Sequence, residues 1–225
     1  MMISNRLFKV LIALAGLIGQ SCLGIYYSGA LVPGQLITGN LSASQLGDLV
    51  AHHQSAIFLD AYFQGIGTLL TVIFFVGLVY SSGATSRFSG LMVIIASSIV
   101  LAAALGDITF TLEAAKAAAI KHYQTMQTAF DFVAGPSEAF DYTFLFVPAP
   151  LLSISLGIVL IRSTILPHFL GYASITIGVM FVVVGLISIF NSFIGAIPVA
   201  FEIVQLGHVM WVLASAIFIL VRRGK

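Results

Sequence analysis

The chain of 225 residues is 60% hydrophobic and 8% charged, with a formal net charge of +1. Soluble domains carry about 25% charged residues because their surfaces face water, and this chain has about a third of that share. The composition excludes a cytosolic enzyme, a nucleic-acid binder and a disordered chain, and it specifies an integral membrane protein.

A transmembrane helix needs roughly 20 mostly apolar residues, and six stretches qualify. The first, Leu7–Ser28, has Arg6 and Lys9 at its start and so resembles a signal sequence. Gly19-Gln20-Ser21-Cys22 hints at a lipoprotein cleavage site, but Gly19 stands where such signals carry Leu, so the segment reads as a retained helix. Cys22 is the single cysteine and allows no internal disulfide. An outer segment at 30–56 follows. In it Pro33-Gly34 marks a turn and Ser42-x-x-Gln45 a capping box, ahead of Leu46, Leu49, Val50 and His53 on one helical face. That pattern predicts a short helix on the membrane surface.

The second span is Ala61–Tyr80, with Gly65 and Gly67 as small packing residues, and the third is Phe88–Asp107. Alanines around Leu112–Ile120 favour continuation of the third helix into a second outer segment at 108–138, ending at Gly135-Pro136. The fourth span, Tyr142–Ile161, carries Phe146-Val147-Pro148-Ala149-Pro150 near its middle. Each proline removes a donor and crowds the carbonyl four residues back, which predicts a kink at membrane depth. The fifth, His168–Phe190, places Gly171, Gly178 and Gly185 seven apart on one face, a close-packing pattern. The sixth is Ile197–Val221. No span shows the even alternation of a barrel strand. The predicted fold is a single all-α integral membrane domain over residues 1–225, with six transmembrane helices.

With six crossings, Arg6, Lys9, Arg87, Arg162, Arg222, Arg223 and Lys225 fall on one side, which the positive-inside rule assigns to the cytoplasm together with both termini. The acids Asp48, Asp60, Asp107, Glu113, Asp131, Glu138, Asp141 and Glu202, with Lys116 and Lys121, fall on the other. The net charge of +1 thus divides into +7 inside and −6 outside.

Counting 20 residues back from each inner helix end brings Asp60, Asp107, Asp141 and Glu202 to one depth, the outer boundary of the hydrocarbon. For Asp60, Asp141, Glu202 and Glu138, a place near a helix N-terminus offers an explanation without function, worth about 0.3–1 kcal/mol each. Asp107 lies where the third span leaves the membrane and gains nothing from its dipole, so it is the first site candidate, with Glu113 further out. His208 lies deeper than the acids, roughly 9 Å inside Glu202, and Glu202, Gln205 and His208 step along neighbouring faces. A neutral His208 bonded to a backbone carbonyl would be purely structural; otherwise it forms the floor of an outward-facing cavity. Asp60 with Gln64, and Asp107 with Thr111, are i, i+4 pairs suited to its walls. His52, His53 and His208 are the nitrogen donors for any metal, but their spacing matches no metal motif.

The chain has no P-loop, no G-x-S-x-G and no C-x-x-C-H, and apart from Lys9 at the start of the first span no lysine lies inside a span. The run Leu156-Gly157-Ile158-Val159-Leu160-Ile161-Arg162-Ser163-Thr164-Ile165-Leu166-Pro167-His168-Phe169-Leu170-Gly171 resembles a helix–loop–helix of uncharacterised bacterial six-helix membrane proteins grouped as a domain of unknown function. The stretch His53–Tyr80 and the Arg222-Arg223 ending are similar to theirs as well. The resemblance implies the six-helix fold and a bacterial inner membrane, and implies no active site.

Three functional readings follow. The first is a non-enzymatic protein that binds a small ligand, lipid or partner subunit through an acidic outward-facing vestibule. The second is a small proton-coupled transporter using Asp107 and His208. The third is an intramembrane metal-dependent hydrolase. No cofactor is expected, although bound lipid suits the phenylalanine-rich surface. The expected partners are membrane lipid and a partner membrane subunit or further copy of the chain, with no nucleic acid.

Overall fold

A computed structural model describes residues 5–28, 31, 48, 50–120, 147–190 and 197–222. Its helices are α1 (Asn5–Tyr27), α2 (Gln54–Ser81), α3 (Phe88–Ala119), α4 (Pro148–Ile161), α5 (His168–Phe190) and α6 (Ile197–Val221). Among the described residues the protein is all-helical, and five of these helices are long and apolar enough to cross a membrane. As described, α4 has 14 residues, about 21 Å at 1.5 Å per residue, against a hydrocarbon core of roughly 30 Å.

Each helix packs on its neighbours in the chain, and α6 returns to α1, so the six close into a ring. Two hairpins in it are drawn together by glycine. Along α1–α2, a Cβ on Gly67 would lie 2.8 Å from Leu23 Cγ and 3.0 Å from the Gly19 carbonyl oxygen. Along α4–α5, a Cβ on Gly157 would lie 2.6 Å from the Gly171 oxygen. Backbones this close leave no room for a side chain, and small residues are how apolar helices gain contact without a hydrophobic drive between them. Gly171 and Gly178 thus face α4, and Gly67 faces α1, while Gly65 looks towards Ile108 of α3.

The connections 82–87 and 162–167 meet the start of α1 and the end of α6 at one end of the ring. There Phe8 packs edge-on to Tyr80 with ring centroids 5.2 Å apart. The Arg222 guanidinium donates to the Thr164 carbonyl oxygen at 3.1 Å. Gly83, at φ +60°, turns the chain between α2 and α3. The main core fills this half of the ring and takes residues from all six helices, including Ile12, Phe74, Leu78, Val93, Leu156, Leu166 and Val212. A smaller cluster of Ala149, Phe181 and Val204 lies toward the other end.

Several expectations change. Helix α2 begins at Gln54 rather than Ala61, so 54–56 belong to the helix and not to the outer segment. Helix α3, by contrast, continues past Asp107 as its alanines predicted, by twelve residues to Ala119. The two prolines do not kink a helix interior: Pro148 opens α4 and Pro150 follows in the first turn, with Val147 as N-cap. There a missing N–H leaves no bond unmade. Residues 142–146 and the break at Gly135-Pro136 lie outside the described residues, as do Pro33-Gly34, the Ser42–Gln45 box, Leu46 and Leu49. Of the surface-helix expectation, Asp48, Val50, Ala51 and His52 are helical, and Val50 is fully buried.

Candidate functional site

Toward its N-terminal end α2 carries the polar residues Asp60 and Gln64. Gln64 is buried on α2 and its Nε2 donates to Asp107 Oδ2 of α3 at 2.7 Å. This short, charge-assisted bond joins the two helices. The neighbouring Gly65 faces the Ile108 side chain, whose Cδ1 would lie 3.1 Å from an added Cβ. One turn further out on the same face of α2 stands Asp60. Its Oδ1 is buried and has no hydrogen-bond partner among the described residues. A carboxylate oxygen withdrawn from water without a donor is costly.

The helix bounds alter the explanation of these acids. Asp60 is the seventh residue of α2, and Glu202 the sixth of α6. No acid occupies the first turn of either helix. The macrodipole acts within the first turn, so it accounts for neither residue, contrary to the expectation. Glu202 and Glu113 are exposed on α6 and α3. Asp141 and Glu138 lie outside the described residues.

His208 sits in a different setting. Its ring lies 5.8 Å from Phe75 of α2, 6.3 Å from Phe181 of α5, and 6.3 Å from Trp211, on which it stacks. Trp211 is held in turn by its indole N–H, which donates to the Leu170 oxygen at 2.7 Å. The expected carbonyl partner for His208 is not found among the described residues; aromatic contacts hold the ring instead. One turn outward, Gln205 Oε1 is buried and has no hydrogen-bond partner among the described residues.

The structure therefore bonds Gln64 to Asp107, with Asp60 one turn away on α2, and places His208 with Gln205 on α6. Phe75 lies three turns along α2 from Gln64, roughly 16 Å, and α3 and α6 are not packed neighbours. Asp107 and His208 do not form a pair. Thr111 makes no bond to Asp107 among the described residues, and the partner of Asp107 is Gln64 of the preceding helix. His52 and His53 lie against each other at 5.0 Å, ahead of α2. Among the described residues no three His, Cys, Asp or Glu side chains gather where they could hold a metal ion.

Comparison with protein-family models, curated proteins and solved structures found no match.

Sequence reasoning missed three neighbours of His208. Phe75 and Phe181 are two of 18 phenylalanines with nothing local to distinguish them, whereas Trp211, three residues after His208, carried a usable i, i+3 signal. It also missed the buried bond from Gln20 Nε2 of α1 to Thr71 Oγ1 of α2, 3.2 Å.

Proposed function

We propose that this is a six-span membrane protein of a bacterial inner membrane, with its cationic end and both termini in the cytoplasm. On this reading it binds a small ligand, lipid or partner subunit at its acidic outer end and catalyses no reaction. The observation that carries the reading is the buried Asp60 Oδ1, which has no hydrogen-bond partner among the described residues, one turn from the Gln64–Asp107 bond. An acceptor left open beside a fixed carboxylate suits an occupant that donates hydrogen bonds or carries positive charge, such as an amine or ammonium headgroup. The resemblance of the α4–loop–α5 stretch to uncharacterised bacterial six-helix proteins supports the fold and the membrane assigned here.

Native mass spectrometry of the full chain, released from lipid nanodiscs, tests the reading. A bound species retained by the parent protein and reduced at least about tenfold in Asp60→Asn and Asp107→Asn supports it. Equal retention in both variants rejects it. A reporter fused after Ile120 should read as external, and a cytoplasmic signal would remove the outward-facing site. No observation favours proton carriage through Asp107 and His208, which lie on unpacked helices, or a metal-dependent hydrolase.

A further inference from the structure

The opposite end of the ring carries the other half of the charge. Arg6, Lys9, Arg87, Arg162 and Arg222 are all there, and none forms an ion pair among the described residues. Two of these cations are gathered at one corner by the chain itself. Arg162 closes α4, with its backbone N–H on Leu160, and is exposed. Arg222, just past α6, reaches across to the same loop, where it donates to the Thr164 oxygen at 3.1 Å, and its guanidinium carbon lies 5.8 Å from the Phe218 ring centroid. That single carbonyl takes one of five N–H donors, so most of the fork stays open. Beyond the loop, the first turns of α5 expose Phe169 (63%) and Tyr172 (59%), while Leu170 and Gly171 between them face α6 and α4. The corner therefore combines two open guanidiniums with an apolar aromatic flank on the outside of the ring. The guanidiniums match an anionic phosphate, and interfacial aromatics match the region just beneath a headgroup. A free anion would use only the first feature; a phospholipid uses both.

We propose that the α4–α5 corner, formed by Arg162, Arg222, Phe169 and Tyr172, binds the phosphate headgroup of an anionic phospholipid. The proposal does not depend on the acidic-end reading, and its variants touch none of those residues.

The test uses full-length protein in detergent, titrated with phosphatidylglycerol or phosphatidylcholine and followed by native mass spectrometry and thermal unfolding. Phosphatidylglycerol should be retained in preference to phosphatidylcholine. Arg162→Gln should lower its affinity about fivefold, the equivalent of roughly 1 kcal/mol per near-surface cation, and Arg222→Gln should do the same. Because Arg222→Gln also loses the Thr164 bond, Arg162→Gln, whose side chain makes no hydrogen bond or ion pair among the described residues, decides the matter if the two disagree. Arg87→Gln, at the same end but on the α2–α3 turn, should leave the affinity unchanged. Equal retention of the two lipids overturns the proposal. So does an equal loss in Arg87→Gln, which would mean a diffuse surface charge. Equal protection by inorganic phosphate would assign the corner to a soluble anion and overturn the lipid.

Discussion

The Gln64–Asp107 bond is where a single atom decides most. Gln64→Leu removes the amide donor and leaves the Asp107 carboxylate part-buried and unpaired, so stability should fall by about 1–3 kcal/mol. Adding Asp107→Leu to that variant should recover much of the loss, since both polar partners are then gone. Denaturant unfolding in detergent checks the double cycle, and a neutral Gln64→Leu would mean that water replaces the bond freely. The chain's single tryptophan offers a second measurement at this scale. Trp211 is 4% exposed and stacked on His208. Its emission should be blue-shifted and poorly quenched by acrylamide, and Trp211→Phe should cost about 0.5–1.5 kcal/mol for the lost bond to Leu170. Residue identity made Asp107 legible as unusual, because a carboxylate at membrane depth has few bland explanations. Its partner was not legible: i, i+4 spacing describes one helix, and nothing in it encodes how α2 registers against α3.

At the scale of the helices, the glycine seams make sharp forecasts. Gly67→Ala would put a methyl within 2.8 Å of Leu23 and 3.0 Å of the Gly19 oxygen, forcing α1 and α2 apart at about 1–3 kcal/mol. Gly207→Ala, with nothing within 4 Å of the new Cβ, should be neutral or stabilise by up to about 1 kcal/mol through helix propensity. Thermal unfolding of the two variants side by side separates packing from propensity; similar melting shifts would refute the seam. The bounds of α5 and α6 could be read directly, since Pro167 precedes the one and Arg222 follows the other just where apolarity stops. The start of α2 could not. Gln54-Ser55 and Asp60 look too polar for a membrane span, yet a helix is set by backbone bonding and extends beyond its apolar stretch. That misplacement is what made the macrodipole seem a sufficient account of Asp60. Prolines 148 and 150 carried the reverse ambiguity, because proline punctuates a helix interior and opens a first turn with equal force.

For the whole molecule, the ring places Arg6, Lys9, Arg87, Arg162 and Arg222 at the end that the six-span count assigned to them, while Lys121, Asp131, Glu138, Asp141, Arg223 and Lys225 lie outside the described residues. If those cations orient the protein, Arg6→Gln, Lys9→Gln and Arg87→Gln together should produce a mixed orientation, read with a reporter after Ile120; a single unchanged orientation would show that other residues set it. Closure of the ring was not legible, since nothing in α1 or α6 advertises the other. It has a consequence for the order of events during synthesis. The helix that completes α1's surroundings is the last of the six to be made, roughly 10–40 s after α1 at 5–20 residues per second. Throughout that interval the side of α1 awaiting α6 has only lipid for company, while the side toward α2 is covered early. The buried amide of Gln20 is directed to Thr71, on the helix that arrives first. A polar group turned the other way would have waited in hydrocarbon for a partner not yet translated.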